Sequence, residues 1–162
     1  MCRIRLPRRL PKNLSVDDLH RLLNAPWGEG LPETTAGFPK TTLRVALEIM
    51  FTTGIRVGEL CSLGLPDLDL TSRTLNIKGK GNRERRVFLV DSDIIGLVEQ
   101  YLALRRRLKP VTGNFLVTSC ATPASPDYIR RHLHKLAGAV GIAKRITPHM
   151  LRHSAATQLL ES

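Results

Sequence analysis

Aromatic side chains are scarce in this 162-residue chain, at 4% of the total. Four Phe, two Tyr and one Trp make a poor platform for splayed bases, so stacking on single strands is not the expected binding mode. Cysteine is scarce too. Cys2, Cys61 and Cys120 stand far apart with no Cys-x-x-Cys pair, which implies neither a disulfide framework nor a zinc knuckle. They suit a reduced, cytoplasmic location. No apolar run approaches the length of a membrane span, so no membrane partner is expected. The opening "MCRIRLPRRLPK" is basic but lacks the continuous apolar stretch of a signal peptide. Acid is the remaining shortage. Fourteen Asp and Glu face 25 Lys and Arg, leaving a net charge of +11. A domain that basic usually meets a polyanion, and with few aromatics its contacts go to phosphates.

The length suits one domain, and 42% hydrophobic residues is a globular composition. Residues 1–14 hold five positive charges and no acid, and read as a basic arm or linker remnant. "SVDDLHRLLNAP" then opens a helix, with Ser15 and Asp18 at capping-box spacing and Val16, Leu19, Leu22 and Leu23 on one face. "WGEGLPETTAGFPK" reads as a loop, "TTLRVALEIMFTTG" as a buried helix stopped by Gly54, and "RVGELCSL" as a short helix after it. "RTLNIK" and "RERRVFLV" alternate like strands and "GKGN" joins them as a hairpin turn. "DSDIIGLVEQYLALRRRL" is an amphipathic helix with a basic end, and "NFLVTS" a short strand or extended segment. Ser125 and Pro126 begin another helix; Thr147 and Pro148 begin the last. The expected class is α+β, mainly helical, with one inserted β-hairpin.

Three stretches carry chemistry. In "TTGIRVGEL", Arg56 follows a glycine turn between two helices, where it is held rigidly and aimed across a cleft; Glu59 is placed to orient it. In "IKGKGNRERRV", Lys80 stands between two glycines at a hairpin tip, flanked by Lys78, Arg83, Arg85 and Arg86. A Lys on such a tip is able to reach a leaving oxygen and donate a proton. In "TPHMLRH", His149 and Arg152 share a face at a helix N-terminus, a good anion site, with His153 beside them. His149 and His153 stand four apart, but no acid lies near to complete a metal motif, so no metal is expected.

Taken together, "TGIRVGELCSL", "IKGKGNRERRVFL" and "ITPHMLRHSAATQLL" resemble the tyrosine recombinase (phage integrase) family, closest to its Xer-type members. The resemblance runs from about Leu14 to the last residue and implies a recombinase catalytic-domain fold over 15–162. It implies site-specific DNA recombination or integration without metal, nucleotide or other cofactor. In such enzymes a tyrosine oxygen displaces the 5′ oxygen at the scissile phosphate of duplex DNA, leaving a 3′-phosphotyrosyl ester. By the match, Arg56 and Arg152 clamp the phosphate, His149 hydrogen-bonds it or assists proton transfer, and Lys80 protonates the departing oxygen. Glu59 supports them, and Lys78, Arg83, Arg85, Arg86 and His153 meet DNA.

The family's tyrosine follows the His-x-x-Arg helix. Tyr101 and Tyr128, the two tyrosines here, both precede it and read as core and packing residues. The expectation is therefore a partial catalytic domain, as from a truncated mobile-element gene, with no nucleophile of its own. It binds duplex DNA, and other recombinase protomers are possible partners. The rival reading is a non-enzymatic regulatory module, in which residues 125–160 form a helix–turn–helix with a basic first helix. Convergence of Arg56 and Lys80 with Arg152 on one groove favours the recombinase; scatter favours the module.

Overall fold

The computed structural model describes residues 14–27, 35–79, 81 and 83–161. The basic arm and Lys80 lie outside the described residues. Helix α1 spans Val16–Leu23. Ser15 Oγ accepts the Asp18 N–H at 3.1 Å, as the capping pattern predicts. The Asp18 carboxylate turns to Lys144 Nζ, 2.5 Å away, which ties α1 to the segment before the last helix. Leu19 and Leu22 are buried, whereas Val16, in the first turn, stays exposed.

Helix α2, Phe38–Thr53, organises the molecule. It begins three residues before the expected Thr41, because Pro39 suits a first turn. It packs against α1 and against the four helices that follow it. Val45, Ala46, Leu47, Ile49 and Met50 are wholly buried. Gly54 ends it at φ +64°, a left-handed geometry that glycine adopts without strain, and donates its N–H to Met50 O at 3.0 Å. Helix α3 follows at Val57–Ser62.

The sheet has three antiparallel strands in order β1 (Leu68–Asp69), β2 (Thr74–Lys78) and β3 (Glu84–Phe88). The expected single hairpin is thus β2–β3, and β1 adds a short third strand too brief to show a period. The register pairs Leu75 with Val87, Asn76 with Arg86, Ile77 with Arg85 and Lys78 with Glu84. Paired residues share a face, so Arg85 and Val87 lie on the inner side with buried Leu75 and Ile77.

Helix α4, Ser92–Leu108, buries Tyr101 between Phe38 and Phe115 at centroid distances of 5.5 and 5.4 Å. Its basic end divides: Arg106 and Arg107 are exposed, while Arg105 turns inward. Arg105 donates to the carbonyls of Thr112, Asn114 and Phe115 at 2.6–3.2 Å and so pins the loop after α4. Residues 114–119, expected as a short strand or extended segment, are irregular: isolated bridges join Gly64 to Asn114 and Val117 to Pro123, bends and a turn fill the rest, and the segment does not join the sheet. Helix α5, Pro126–Ala139, and helix α6, Pro148–Glu161, complete the mainly helical α+β fold. Helix α6 lies on α2, with Leu151 buried.

Candidate functional site

The turn at Gly54, anchored by wholly buried Ile55, delivers Arg56 to the N-cap of α3. Glu59 stands one turn on. Its Oε2 accepts the Arg56 N–H at 2.9 Å and its Oε1 accepts Arg56 Nη1 at 3.2 Å. Arg85 reaches the same carboxylate from β3, with Nη1 to Oε1 and Nη2 to Oε2 both at 2.9 Å. A carboxylate taking that many charged donors resists protonation. Hydrogen bonding from Arg85 foremost, then from Arg56, lowers the Glu59 pKa from 4.5 to about 2. The Arg56 side chain remains 64% exposed.

Helix α6 brings the other wall. Thr147 Oγ1 accepts the Met150 N–H at 3.4 Å, and Met150 and Leu151 point into the core. That phase turns His149 and Arg152 the other way. Arg56, Glu59, His149 and Arg152 line one pocket, together with Thr147 and Arg130 of α5. Arg152 Nη1 is buried without a hydrogen-bond partner among the described residues. Burial first, then the charges of Arg56 and Arg85, hold the Arg152 pKa below its ordinary value, with Glu59 opposing them. The pocket therefore concentrates positive charge around a partly desolvated guanidinium, which is what an anion with several acceptor oxygens satisfies.

Arg130 is a member that the sequence motifs leave out. It lies at the border with a second, basic groove lined by Arg131, His134, Lys135 and Arg145. Asp127, Arg130, Arg131 and His134 recur at helical spacing on α5, a pattern present in the sequence. Asp127 Oδ1 holds Arg130 Nη1 at 2.5 Å.

The remaining predicted residues fall elsewhere. Lys78, Arg83 and Arg86 are exposed, and Arg86 Nε donates to Asn76 Oδ1 at 3.3 Å. Arg85 is engaged by Glu59 on the inner side of the sheet. His153 is exposed and outside the pocket lining. Lys80 is not among the described residues. Neither tyrosine lines the pocket. Tyr101 is wholly buried, its hydroxyl accepting the Val117 N–H at 2.9 Å. Tyr128 is 8% exposed. Burial pushes both phenols up to about 12.

Residues 12–162 match the model of the phage integrase family. The chain belongs to that family. This integrase-family chain is 32% identical over 163 residues to the tyrosine recombinase XerC of Thermodesulfovibrio yellowstonii, covering 97% of this chain and 52% of that protein. It spans about half the length of the curated relatives that it matches. The crystal structure of XerA recombinase superposes with a TM-score of 0.78 at 30% identity, over 95% of this chain and 52% of that one. The XerH site-specific recombinase bound to palindromic difH substrate shares the fold, with a TM-score of 0.76 at 24% identity over 94% and 43% of the two chains. Among the described residues of the integrase-family chain, no helix is long and apolar enough to cross a membrane.

Proposed function

We propose that this chain serves site-specific DNA recombination, and that its pocket holds a backbone phosphate of duplex DNA. One observation carries the reading: Arg56 and Arg152, far apart in sequence, line one pocket, and Arg152 keeps a buried nitrogen that no group among the described residues satisfies. Preorganised cations of this kind stabilise charge spread over the non-bridging oxygens of a phosphoryl-transfer transition state. In this reading Arg56 and Arg152 clamp the phosphate by their forked donors and His149 adds a third contact. Lys80, on the hairpin between β2 and β3, protonates the departing 5′ oxygen. The work that a metal ion does in other phosphoryl-transfer sites falls to side chains. The basic groove along α5 continues the positive surface and suits the neighbouring phosphates of the same duplex. Lys78, Arg83, Arg86 and His153 add outer contacts.

A nucleophilic tyrosine must reach the pocket, and Tyr101 and Tyr128 lie in the core. On this reading these 162 residues bind duplex DNA and do not cleave it unaided. Other recombinase protomers are the expected protein partners. A DNA-acting chain works where the DNA is, which for bacterial relatives is the cytoplasm.

The test is fluorescence anisotropy with a labelled duplex. Arg56→Gln and Arg152→Gln are each expected to weaken binding by ~10-fold or more, as loss of charge-assisted hydrogen bonds does. The regulatory-module reading, favoured by the basic face of α5, makes the opposite forecast. Pocket variants would then bind as the parent does, while Arg131→Ala would not.

A further inference from the structure

We propose that Arg85 is a positioning residue of the phosphate pocket: its fork onto Glu59 ties β3 to the first turn of α3, setting the Arg56 guanidinium and the base of the hairpin in one frame. The proposal rests on the phosphate-binding reading above.

The pleat places Arg85 opposite Ile77, on the face that carries Leu75 and Val87. An apolar residue is the ordinary occupant of such a position. A guanidinium persists there when a partner compensates its partial desolvation. Glu59, itself 10% exposed, is that partner through two parallel bonds of 2.9 Å. The same two oxygens also take the backbone and side-chain donors of Arg56. One carboxylate thus orients two guanidiniums and leaves the other donors of Arg56 facing outward.

The hairpin is tied at the same point. Gly79 donates its N–H to Arg83 O at 2.8 Å, closing the end of the β2–β3 ladder. A Cβ at Gly79 would stand 3.2 Å from Arg83 O, 3.7 Å from Arg85 Nη1 and 3.9 Å from Glu59 Oε1. The ion pair therefore lies directly under the residue that precedes Lys80. A shift of Arg85 moves the departure point of the hairpin and the aim of Arg56 together. Arg85, its side chain 41% exposed, is also charge-compensated; among the described residues no ion pair engages Lys78 or Arg83 beside it. Its fork is a geometry that lysine does not reproduce.

The experiment uses the full chain with Arg85→Lys and Arg85→Gln, thermal midpoints confirming that each is folded. Three readouts are taken: 15N side-chain NMR of the Arg56 guanidinium, titration with inorganic phosphate, and the salt dependence of duplex binding. The expected result is that the separate Arg56 Nη signals collapse to an average in both variants. Phosphate affinity falls by about tenfold in both, with lysine giving no rescue. The salt slope of duplex binding stays unchanged, since no phosphate contact is lost. Rescue by lysine, together with a salt slope lowered by about one in Arg85→Gln, would make Arg85 a direct phosphate contact and overturn the proposal. So would unchanged Arg56 signals in both variants. If the parent chain binds neither phosphate nor duplex, the functional reading fails, while the Arg56 signals still decide the role of Arg85.

Discussion

A buried donor without a partner costs free energy, and among the described residues Arg152 keeps one where two more arginines crowd it. Folding alone gives no reason for that arrangement; an incoming anion does. Arg152→Gln is accordingly expected to leave the thermal midpoint unchanged or raise it, since the substitution removes a charge held against burial and repulsion. A clear drop in the midpoint by scanning calorimetry would mean that Arg152 holds the fold instead. Arg105 is the contrasting case: it is more deeply buried than Arg152, but each of its inward donors has a carbonyl. Both inward arginines are legible in periodicity. Tyr101, Leu104, Arg105 and Leu108 recur at helical spacing, and Arg85 alternates in phase with Val87. Read as a charge run, "RRR" hides the first; read as a basic hairpin, "RERR" hides the second. The Arg130 contribution is hidden for another reason, since its motif partners lie on other elements.

At the level of elements, strong local signals survive folding: the Ser15 cap, the Gly54 stop and the β2–β3 hairpin all stand where the sequence puts them. The two residues of β1 carry no period, and the irregular segment at 114–119 begins on a distant partner, with Asn114 bridged to Gly64 and Phe115 donating its N–H to Leu63 O. Local pattern has no access to either. The link between α3 and β3 is likewise tertiary, and it titrates. Glu59 is held at about 2, below its ordinary 4.5, so its stabilising contribution is complete above about pH 4.5 and is lost as pH falls toward 2. Glu59→Gln removes that dependence. The midpoint difference between parent and variant should be largest above about pH 5 and close toward pH 2. A difference that stays constant across that range would assign the effect to shape and not to charge.

For the whole molecule, the net charge is +11, and among the described residues basic side chains gather on an exposed hairpin face, the α5 groove and the pocket. Binding of duplex DNA through such a surface releases counterions. With about six phosphates engaged, affinity should fall by ~10³-fold between about 50 and 200 mM salt. A shallow slope in anisotropy titrations would show that few of these cations touch the backbone. The net charge announces a polyanion, but no spacing rule tells that residues 56 and 152 meet. That knowledge came from the family resemblance, and its physical cause is the packing of α6 on α2 just beyond the turn that leads into Arg56.

One helix thus underlies both walls. The jaws formed by Arg56 and by His149 with Arg152 ride on the same buried rod, like the fixed gap of a caliper. The spacing of the jaws is accordingly set by what α6 and the Arg56 turn each pack on, and a side chain enlarged at the α2–α6 seam would widen it. A gap set in advance in this way leaves local curvature of the DNA backbone as the adjustment that brings a phosphate onto it.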